Sequence, residues 1–556
     1  MTPARKDPVS PASTASAQVP TPSASIANRS MPPVLGRLLS GTFWLALRVP
    51  MQVVFTLLTS RLVLQAIGPI ENGAYAFAWG FGFFQFLFEF GASSALQRQI
   101  SDAWTRGDRE AVDRSIACGM NFYAATAILQ ALALLGVAYL SLPHSGLLPE
   151  SYPLVIRLLW LQAITSPCFG LSIVITSVLQ AARRFDFVPR FEILIAILRF
   201  AVLVAGLHFG CDANGRMSTS TFFGVVVTQT AVQVALGIGP ALWVMTRELG
   251  YTPHFRGARW ADYRILMHFS AYVALIQISV VLADKLDTTV LGFILDKGAA
   301  EQANSVYGVV SKPFAQLRQM GWMLAHMVMP AVASLAAARD ERGLERVKYD
   351  GSRLHIGVLA PLGLLAFVHA GPFLSLWMGQ TLGYDAGQEA PLMRLFLVAT
   401  LPLILSVPVQ MSIGLNRIKV IAIAALAGAL VNLPLSCYLT ARMGVAGVIW
   451  GTVVTTLFSN LLVPGIYVFR GLKIDIPTYF RRTLAPPMAG SAMLLGVAGV
   501  LLVLMPIPGP EVASTVRWTM LAVHLAAGSL AYLVGYVLVP TGRGDLAALA
   551  GRFRRR

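Results

Sequence analysis

Charged residues are scarce in this chain. Only 12% of its 556 residues are Asp, Glu, Lys or Arg, against 56% hydrophobic, and the 26 acids are outnumbered by 43 bases. No polar stretch is long enough to fold separately, so a water-soluble domain is excluded and nearly all of the mass belongs in a bilayer. Cysteine is nearly missing too: Cys118, Cys168, Cys211 and Cys437 stand apart, without redox or metal-ligand spacing, which excludes a disulfide framework. No Gly-rich loop ending in Lys and Ser/Thr occurs, so nucleotide hydrolysis by that route is excluded. The eight histidines form no close pair of metal-ligand spacing, and neither a metal nor any other cofactor is expected. Residues 1–33 are rich in Pro, Ser, Ala and Thr and lack the apolar core of a cleavable signal peptide, which predicts a disordered cytoplasmic tail over 1–37.

What the chain does have is long apolar stretches, at roughly 42–64, 73–95, 116–142, 154–179, 189–210, 220–246, 266–292, 304–331, 354–374, 393–415, 418–439, 445–468, 484–505 and 517–539. Each can cross about 30 Å of hydrocarbon as a helix, so the fold class is an all-α polytopic membrane protein with about 14 transmembrane helices. Bases crowd every second gap: Arg98, Arg106, Arg109 and Arg114, then Arg183, Arg184 and Arg190, then Arg247, Arg256, Arg259 and Arg264, and so on to Arg552, Arg554, Arg555 and Arg556. The other gaps hold little beyond Arg216, Lys297 and Arg442. By the positive-inside rule both termini and the basic gaps are cytoplasmic. That topology, with contact to anionic membrane lipids, accounts for most of the net charge of +17, so no nucleic acid is implied.

The chain also repeats itself. Arg61 stands seven positions before Gly68, Lys285 stands seven before Gly292, and each glycine is expected to close its helix before a tyrosine, Tyr75 or Tyr307, opens the next. The charged gaps Arg106-Gly107-Asp108-Arg109-Glu110 and Arg339-Asp340-Glu341-Arg342-Gly343 also match. Two six-helix halves of like orientation follow, 38–250 and 251–470, then a linker with helices 13 and 14 over 471–540 and a basic cytoplasmic tail over 541–556. Parallel repeats of this kind are a transporter architecture with the substrate between the halves.

At Thr59-Ser60-Arg61-Leu62, Ile67-Gly68, Gly73-Ala74-Tyr75, Phe88-Glu89-Phe90-Gly91, Asp284-Lys285-Leu286-Asp287, Leu291-Gly292 and Val306-Tyr307, the chain resembles a flippase of the polysaccharide transport family. That family lies within the multidrug/oligosaccharidyl-lipid/polysaccharide exporter superfamily, and the likeness covers most of 38–470. The resemblance implies a MATE-like architecture of two six-helix lobes around a cavity, often with two further helices. It implies a bacterial inner-membrane protein that moves undecaprenyl-diphosphate-linked oligosaccharide repeat units to the periplasmic leaflet. Glu89 stands where the family usually has Asp, which preserves the charge.

A charge near the centre of a span costs at least about 2.5–3.5 kcal/mol, so each one needs a reason. At helical spacing Lys312, Gln316, Gln319 and His326 form one polar stripe flanked by Arg318, and Lys312 precedes Pro313. Arg48, Gln52, Thr56 and Thr59 share a face of span 1, and Ser270, Gln277, Asp284 and Thr288 a face of span 7. The functional reading is a cationic central cavity in which Arg48, Gln52, Arg199, Lys312, Gln316, Arg318 and Gln319 meet the diphosphate and sugar hydroxyls. Arg61 and Lys285 are alternatively read as snorkelling, or as pairing with Asp284 and Asp287 in gating or structural contacts. Arg199 could equally pair with Glu192. Glu89, Asp284 and Asp287 are the candidates for ion coupling, which a cation-coupled multidrug exporter, the runner-up, would require.

A membrane polymerase or ligase would need catalytic groups on sizeable outward loops. The first such loop has one acid, and 375–392 offers Asp385 and Glu389 without basic partners, so no enzyme is expected. A pure scaffold would leave the polar stripes without purpose. The mechanism expected is alternating access by a monomer, working with glycosyltransferases and a polymerase of the same pathway.

Overall fold

The computed structural model describes residues 31–553, apart from 183, 185, 186, 327, 382, 383, 386, 388 and 416, with side chains from 47 to 547 except at 49, 189, 268–273, 276, 284, 330, 380, 381, 384, 385 and 546. Helices α1 (Met31–Gly80), α2 (Phe83–Glu89), α3 (Ala92–Thr105), α4 (Arg109–Gly136), α5 (Tyr152–Ala181), α6 (Phe187–Gly210) and α7 (Thr219–Trp243) build the first half. The second half comprises α8 (Trp260–Val280), α9 (Asp287–Ile294), α10 (Ala299–His326), α11 (Val328–Ala337), α12 (Glu341–Arg346), α13 (Ser352–Val368), α14 (Ala370–Trp377), α15 (Ala390–Val398), α16 (Ser406–Gly414), α17 (Lys419–Met443), α18 (Val445–Thr456) and α19 (Val463–Gly471). The appendage is α20 (Ile476–Tyr479), α21 (Ala485–Leu504), α22 (Ser514–Leu538) and α23 (Pro540–Phe553).

Among the described residues, 12 helical segments are long and apolar enough to cross a membrane. The first, Pro50–Glu89, carries the first two apolar stretches, and the seventh stretch lies on α8 and α9, joined by a π-helical turn at Val281–Lys285. Each remaining stretch has its own segment, so the protein is an all-α polytopic membrane protein.

Several boundaries differ from the sequence expectation. Helix α1 begins at Met31, inside the expected 1–37 tail, and runs through the first gap with only a break at Gly68 (φ 84°). The second stretch is not one helix, because Phe90 and Gly91 both take left-handed backbone (φ 49° and 71°). Gly292 does not close its helix; α9 continues to Ile294, and the positive φ (83°) falls at Gly298. Strands β1 (Gln380–Thr381) and β2 (Tyr384–Asp385) form a two-strand hairpin within 375–392. The expected basic tail over 541–556 is helical as far as Phe553, in α23.

The charged gaps repeat in geometry as well as in sequence. Asp108 caps α4 by accepting from the Ala111 N–H (2.9 Å), and Asp340 caps α12 by accepting from the Gly343 N–H (2.9 Å). Both caps follow a left-handed residue, Gly107 (φ 71°) and Arg339 (φ 54°). The preceding helices end alike: Asp108 N–H reaches Ala103 O and Gly107 N–H reaches Trp104 O, as Asp340 N–H reaches Leu335 O and Arg339 N–H reaches Ala336 O. This is one C-terminal motif built twice.

Apolar cores segregate in the same way. One cluster gathers Phe77, Leu134, Leu158 and Phe222 and takes in Val281 and Ala300 from the second half, and another gathers Leu96, Ile116, Val178 and Met245 with Leu266 of α8. A third gathers Leu291, Val310, Phe396 and Val453 in the second half, and it also takes in Leu64 of α1. Helix α1 therefore serves both halves. The appendage docks through Leu365, Leu494, Tyr532 and Tyr536.

A buried charge network fastens the appendage. Arg353, 5% exposed, gives two hydrogen bonds to Asp545 of α23 (2.8 and 2.6 Å) and others to Asp350 (3.0 Å) and the Arg482 carbonyl (2.8 Å). Tyr536 donates to Asp545 (2.7 Å), and Arg482 holds Asp350 through two bonds (3.0 and 2.9 Å). Arg353 is thus no loop cation. Burial pushes the Asp545 carboxyl up, but the bonds from Arg353 and Tyr536 outweigh it and hold the group below the usual carboxylate range.

Candidate functional site

The two halves meet along α1 and α10. One face of α10, at the helical spacing Glu301, Ser305, Gly308, Lys312, follows α1. Ser305 accepts from Asn72 (2.9 Å), a Cβ on Gly308 would lie 3.8 Å from Ala76, and Lys312 Nζ donates to Ser60 Oγ (2.5 Å). Ser60 in turn donates to the Thr56 carbonyl (2.6 Å). The polar stripe that the spacing of α10 predicts begins at this interface. It continues through Gln316 and Gln319, both partly buried, to His326, which is exposed and lies against Trp322 (5.1 Å between ring centroids).

Lys312 has no carboxylate within ion-pair reach among the described residues, and Ser60 is its hydrogen-bond partner there. A partly buried ammonium served by one neutral hydroxyl keeps two donors for something else. Arg318 is about 9 Å further along the helix, with its guanidinium over the Phe314 ring (5.1 Å). Helix α10 runs through Pro313 without a break.

The other expected cavity residues are placed differently. Arg48 forms an ion pair with Glu192 of α6 (2.7 Å), and Arg199 donates to Gln233 of α7 (2.8 Å), so the alternative Arg199–Glu192 pair is not formed. Gln52 is partly buried, one turn from Arg48. Arg61 donates to the Leu376 carbonyl (3.3 Å), and Trp377 donates to the Leu57 carbonyl (2.8 Å), fastening α1 to α14. Lys285 lies over the Phe86 ring (5.8 Å), a cation–π contact between the halves. Asp287 is 2% exposed and accepts from Tyr307 (2.6 Å) and Thr452 (3.3 Å), which makes it a core contact of the second half. The side chain of Asp284, with that of Ser270, lies outside the described residues.

Glu89 is buried in a recess with Tyr123, Thr126, Gln130 and Ser166, in hydrogen-bonding contact with Ser93 and Gln277. Gln277, on α8, also accepts from the Gly91 N–H (2.6 Å). The left-handed turn at Phe90-Gly91 thus aims a backbone donor at the other half.

The two ends of the bundle contrast. At the end poor in bases, Gly146 N–H donates to Gly292 O (2.8 Å) and Gly298 N–H to Gly146 O (3.0 Å), and Leu148 N–H donates to Glu301 (2.5 Å). At the basic end, a cavity of about 550 Å³ lies between α3 and α8, lined by Arg98, Gln99, Asp102, Arg106 and Arg264. Sequence reasoning did not find Gln233 or Glu301, offered Glu192 to Arg199 rather than to Arg48, and read Gln277 only as part of a polar face. Each acts through a partner distant in the chain, and their one visible signal was a polar residue inside or beside a span.

No family model matches the chain, and no curated protein matches it in sequence. Solved structures do match in fold. It is similar to a structure of the lipid II flippase MurJ in an inward closed conformation, at TM-score 0.62 and 14% identity over 90% of this chain and 98% of that one. It is similar to an inward-facing multidrug resistance MATE family transporter of the MOP superfamily, at TM-score 0.60 and 12% identity over 77% and 96%. An outward-facing MATE transporter of that superfamily matches at TM-score 0.50 and 12% identity over 78% and 97%. At these identities the likeness shows the fold, an all-α polytopic membrane bundle of the kind seen in those MATE transporters and in the lipid II flippase.

Proposed function

We propose that the protein is a flippase that moves undecaprenyl-diphosphate-linked oligosaccharide repeat units from the cytoplasmic to the periplasmic leaflet of a bacterial inner membrane, with both termini cytoplasmic. The observation that carries this reading is Lys312: an ammonium at the interface of the halves, next to a hydroxyl and without a carboxylate among the described residues. A charge kept at membrane depth without a counter-charge is costly unless its partner is the cargo, and the cargo it suits is an anion. Arg318, on the same helix, adds a donor set suited to phosphate oxygens.

The present state is inward-facing. In support, the basic-poor end is sealed by backbone contacts, and the inward-facing MATE transporter resembles this chain more closely than the outward-facing one. The diphosphate enters past Arg98, Arg106 and Arg264 and meets Lys312, while the polyprenyl tail stays in lipid. Rocking of 38–250 against 251–470 then exposes the head group on the other side. Gln52, Gln316 and Gln319 supply hydrogen bonds for sugar hydroxyls, and Glu89 is the coupling carboxylate. The protein acts as a monomer beside the glycosyltransferases and polymerase of its pathway.

Replacing Lys312 and Arg318 together by Gln abolishes polymer while membrane protein levels hold, and complete lipid-linked units accumulate on the cytoplasmic leaflet. Unimpaired polymer in that double variant removes the cavity assignment, and accumulation on the outer leaflet identifies a polymerase instead. Export of organic cations, rather than glycan, by the reconstituted protein would establish a multidrug exporter. Transport by Glu89→Gln that stays fully gradient-dependent removes Glu89 from coupling.

A further inference from the structure

The seam at the basic-poor end holds a carboxylate that the translocation reading does not use. Glu301 stands in the first turn of α10 with no exposed surface. Its Oε1 accepts the Leu148 N–H from the other half, and its Oε2 has no partner. One turn on, Asn304 is also fully buried; its amide N–H donates to Ala300 O (3.0 Å), and its Oδ1 has no partner. The packing here has no slack, since a Cβ on Gly73 would stand 1.8 Å from the Glu301 carbonyl oxygen.

A fully buried carboxylate with one hydrogen bond and no counter-charge leaves an acceptor that a small cation would satisfy. No Lys, Arg or His among the described residues forms an ion pair with Glu301. The titratable side chains nearest it on the surrounding segments are Glu71 and Tyr75 of α1, His144 and Glu150 between α4 and α5, Tyr152 of α5, Asp287 of α9, Asp296 and Lys297 before α10, and Tyr307 further along α10. None of them is hydrogen-bonded or ion-paired to Glu301. The N-terminus of α10 supplies only about half an elementary charge, which favours a carboxylate without balancing it. Two orphaned acceptors three residues apart on one buried helical turn are what a small bound cation would satisfy.

We propose that Glu301 is the cation-dependent latch of the outward gate: the seam takes up one small monovalent cation, H⁺ or Na⁺, on the spare Glu301 oxygen as it shuts, with Asn304 Oδ1 as a second acceptor, and releases it on opening. The proposal rests on the translocation reading only for which side is outward. The shut seam holds one more cation than the open one, so removing the cation favours opening. For a single site the open-to-shut ratio rises by up to about tenfold per pH unit, or per tenfold dilution of Na⁺.

Hydrogen–deuterium exchange of full-length protein in lipid nanodiscs tests this through the Leu148 amide, whose bond to Glu301 spans the seam. In Na⁺-free buffer, exchange corrected for intrinsic rate is expected to quicken by up to about tenfold per pH unit. In Glu301→Gln, whose amide stays neutral, it should be flat and slow. Dependence on Na⁺ at fixed pH, without dependence on pH, identifies sodium as the occupant. Asn304→Ala guards against a Glu301 variant that does not fold; it should keep the dependence and lose protection at a lower pH or higher Na⁺. Wild-type exchange indifferent to both cations, Glu301→Gln with the wild-type profile, or an unshifted Asn304→Ala profile overturns the latch. No substrate enters the measurement, so a cargo other than a lipid-linked glycan leaves its outcome intact.

Discussion

Lys312 and Glu301 stand on one face of α10, about 17 Å apart by helix rise, and both meet α1 or its neighbours across the interface of the halves. Their surroundings differ. Around Glu301 the halves touch largely through backbone: Gly146 exchanges main-chain hydrogen bonds with Gly292 and Gly298, the Leu148 N–H reaches the Glu301 carboxylate, and a Cβ on Gly73 or Gly146 would overlap a carbonyl oxygen (1.8 and 1.9 Å). Around Lys312 contact is led by side chains: its ammonium meets Ser60, and nearby Arg61 and Trp377 reach carbonyls across the interface. Backbone contacts are either made or broken, whereas side-chain contacts can exchange one partner for another. The first suits a gate and the second a binding surface, and the same helix carries both.

Gly146→Ala breaks this comparison most sharply. Its methyl would stand 1.9 Å from the Leu295 carbonyl oxygen, which is backbone and cannot swing away. The seam then cannot shut, and polymer production should be lost while the protein still reaches the membrane. Spin labels on α4 and α10 at that end should report a wider separation. A variant that transports normally would mean the seam is no gate.

A change at neither place supplies the control. Arg353→Gln leaves the largely buried Asp545 without its cation while Asp350 keeps Arg482, and breaking a buried pair costs up to about 3–5 kcal/mol. Melting temperature should fall, while Leu148 exchange should not change its dependence on pH or Na⁺. The lowered Asp545 pKa fixes a sign as well: its contribution is present above the ordinary carboxylate range and lost as pH falls through the lowered value. Acid should therefore destabilise wild type more than Asp545→Asn.

Ser60→Ala sharpens the binding side. It removes a hydrogen bond of about 0.5–1.5 kcal/mol and leaves Lys312 in place with one more donor to offer. A small loss of thermal stability should accompany unchanged or tighter binding of a diphosphate head group, measured by calorimetry on purified protein. Equal loss of both would make Lys312 a structural contact.

Much of this arrangement was legible in the chain. The apolar stretches marked the helices because lipid tolerates only backbone whose polar groups are paired internally, and the cost of charge in a span singled out Lys312, which the structure sets against Ser60 of α1. The duplicated Arg-Gly-Asp and Arg-Asp gaps marked the repeat, whose caps proved alike in φ, ψ and hydrogen bonds. Pairings were not legible. Arg48 finds Glu192 across 144 positions, and Glu301 finds Leu148 across 153, and no periodicity connects such partners. Glu301 also fell in a gap between stretches, where an acid is read as solvated. The ordered tail escaped for a related reason: α23 is held by Asp545, a single acid among bases, whose partner Arg353 is far away in the sequence.

The smallest expected effect concerns the Arg48–Glu192 pair, and its sign separates two roles. With side chains 27% and 37% exposed, the pair contributes about 0.2–1 kcal/mol to stability. If Arg48 only fastens α1 to α6, Glu192→Gln and Arg48→Gln should weaken the protein alike and leave transport alone. If Arg48 belongs to the anion path, Glu192 competes with the cargo for it, because a guanidinium that holds a carboxylate has fewer donors for phosphate. Glu192→Gln should then raise affinity for a diphosphate head group severalfold while Arg48→Gln lowers it, and the double variant should behave like Arg48→Gln. Identical affinities in all three would confine substrate recognition to α10 and leave α1 as the wall against which that helix moves.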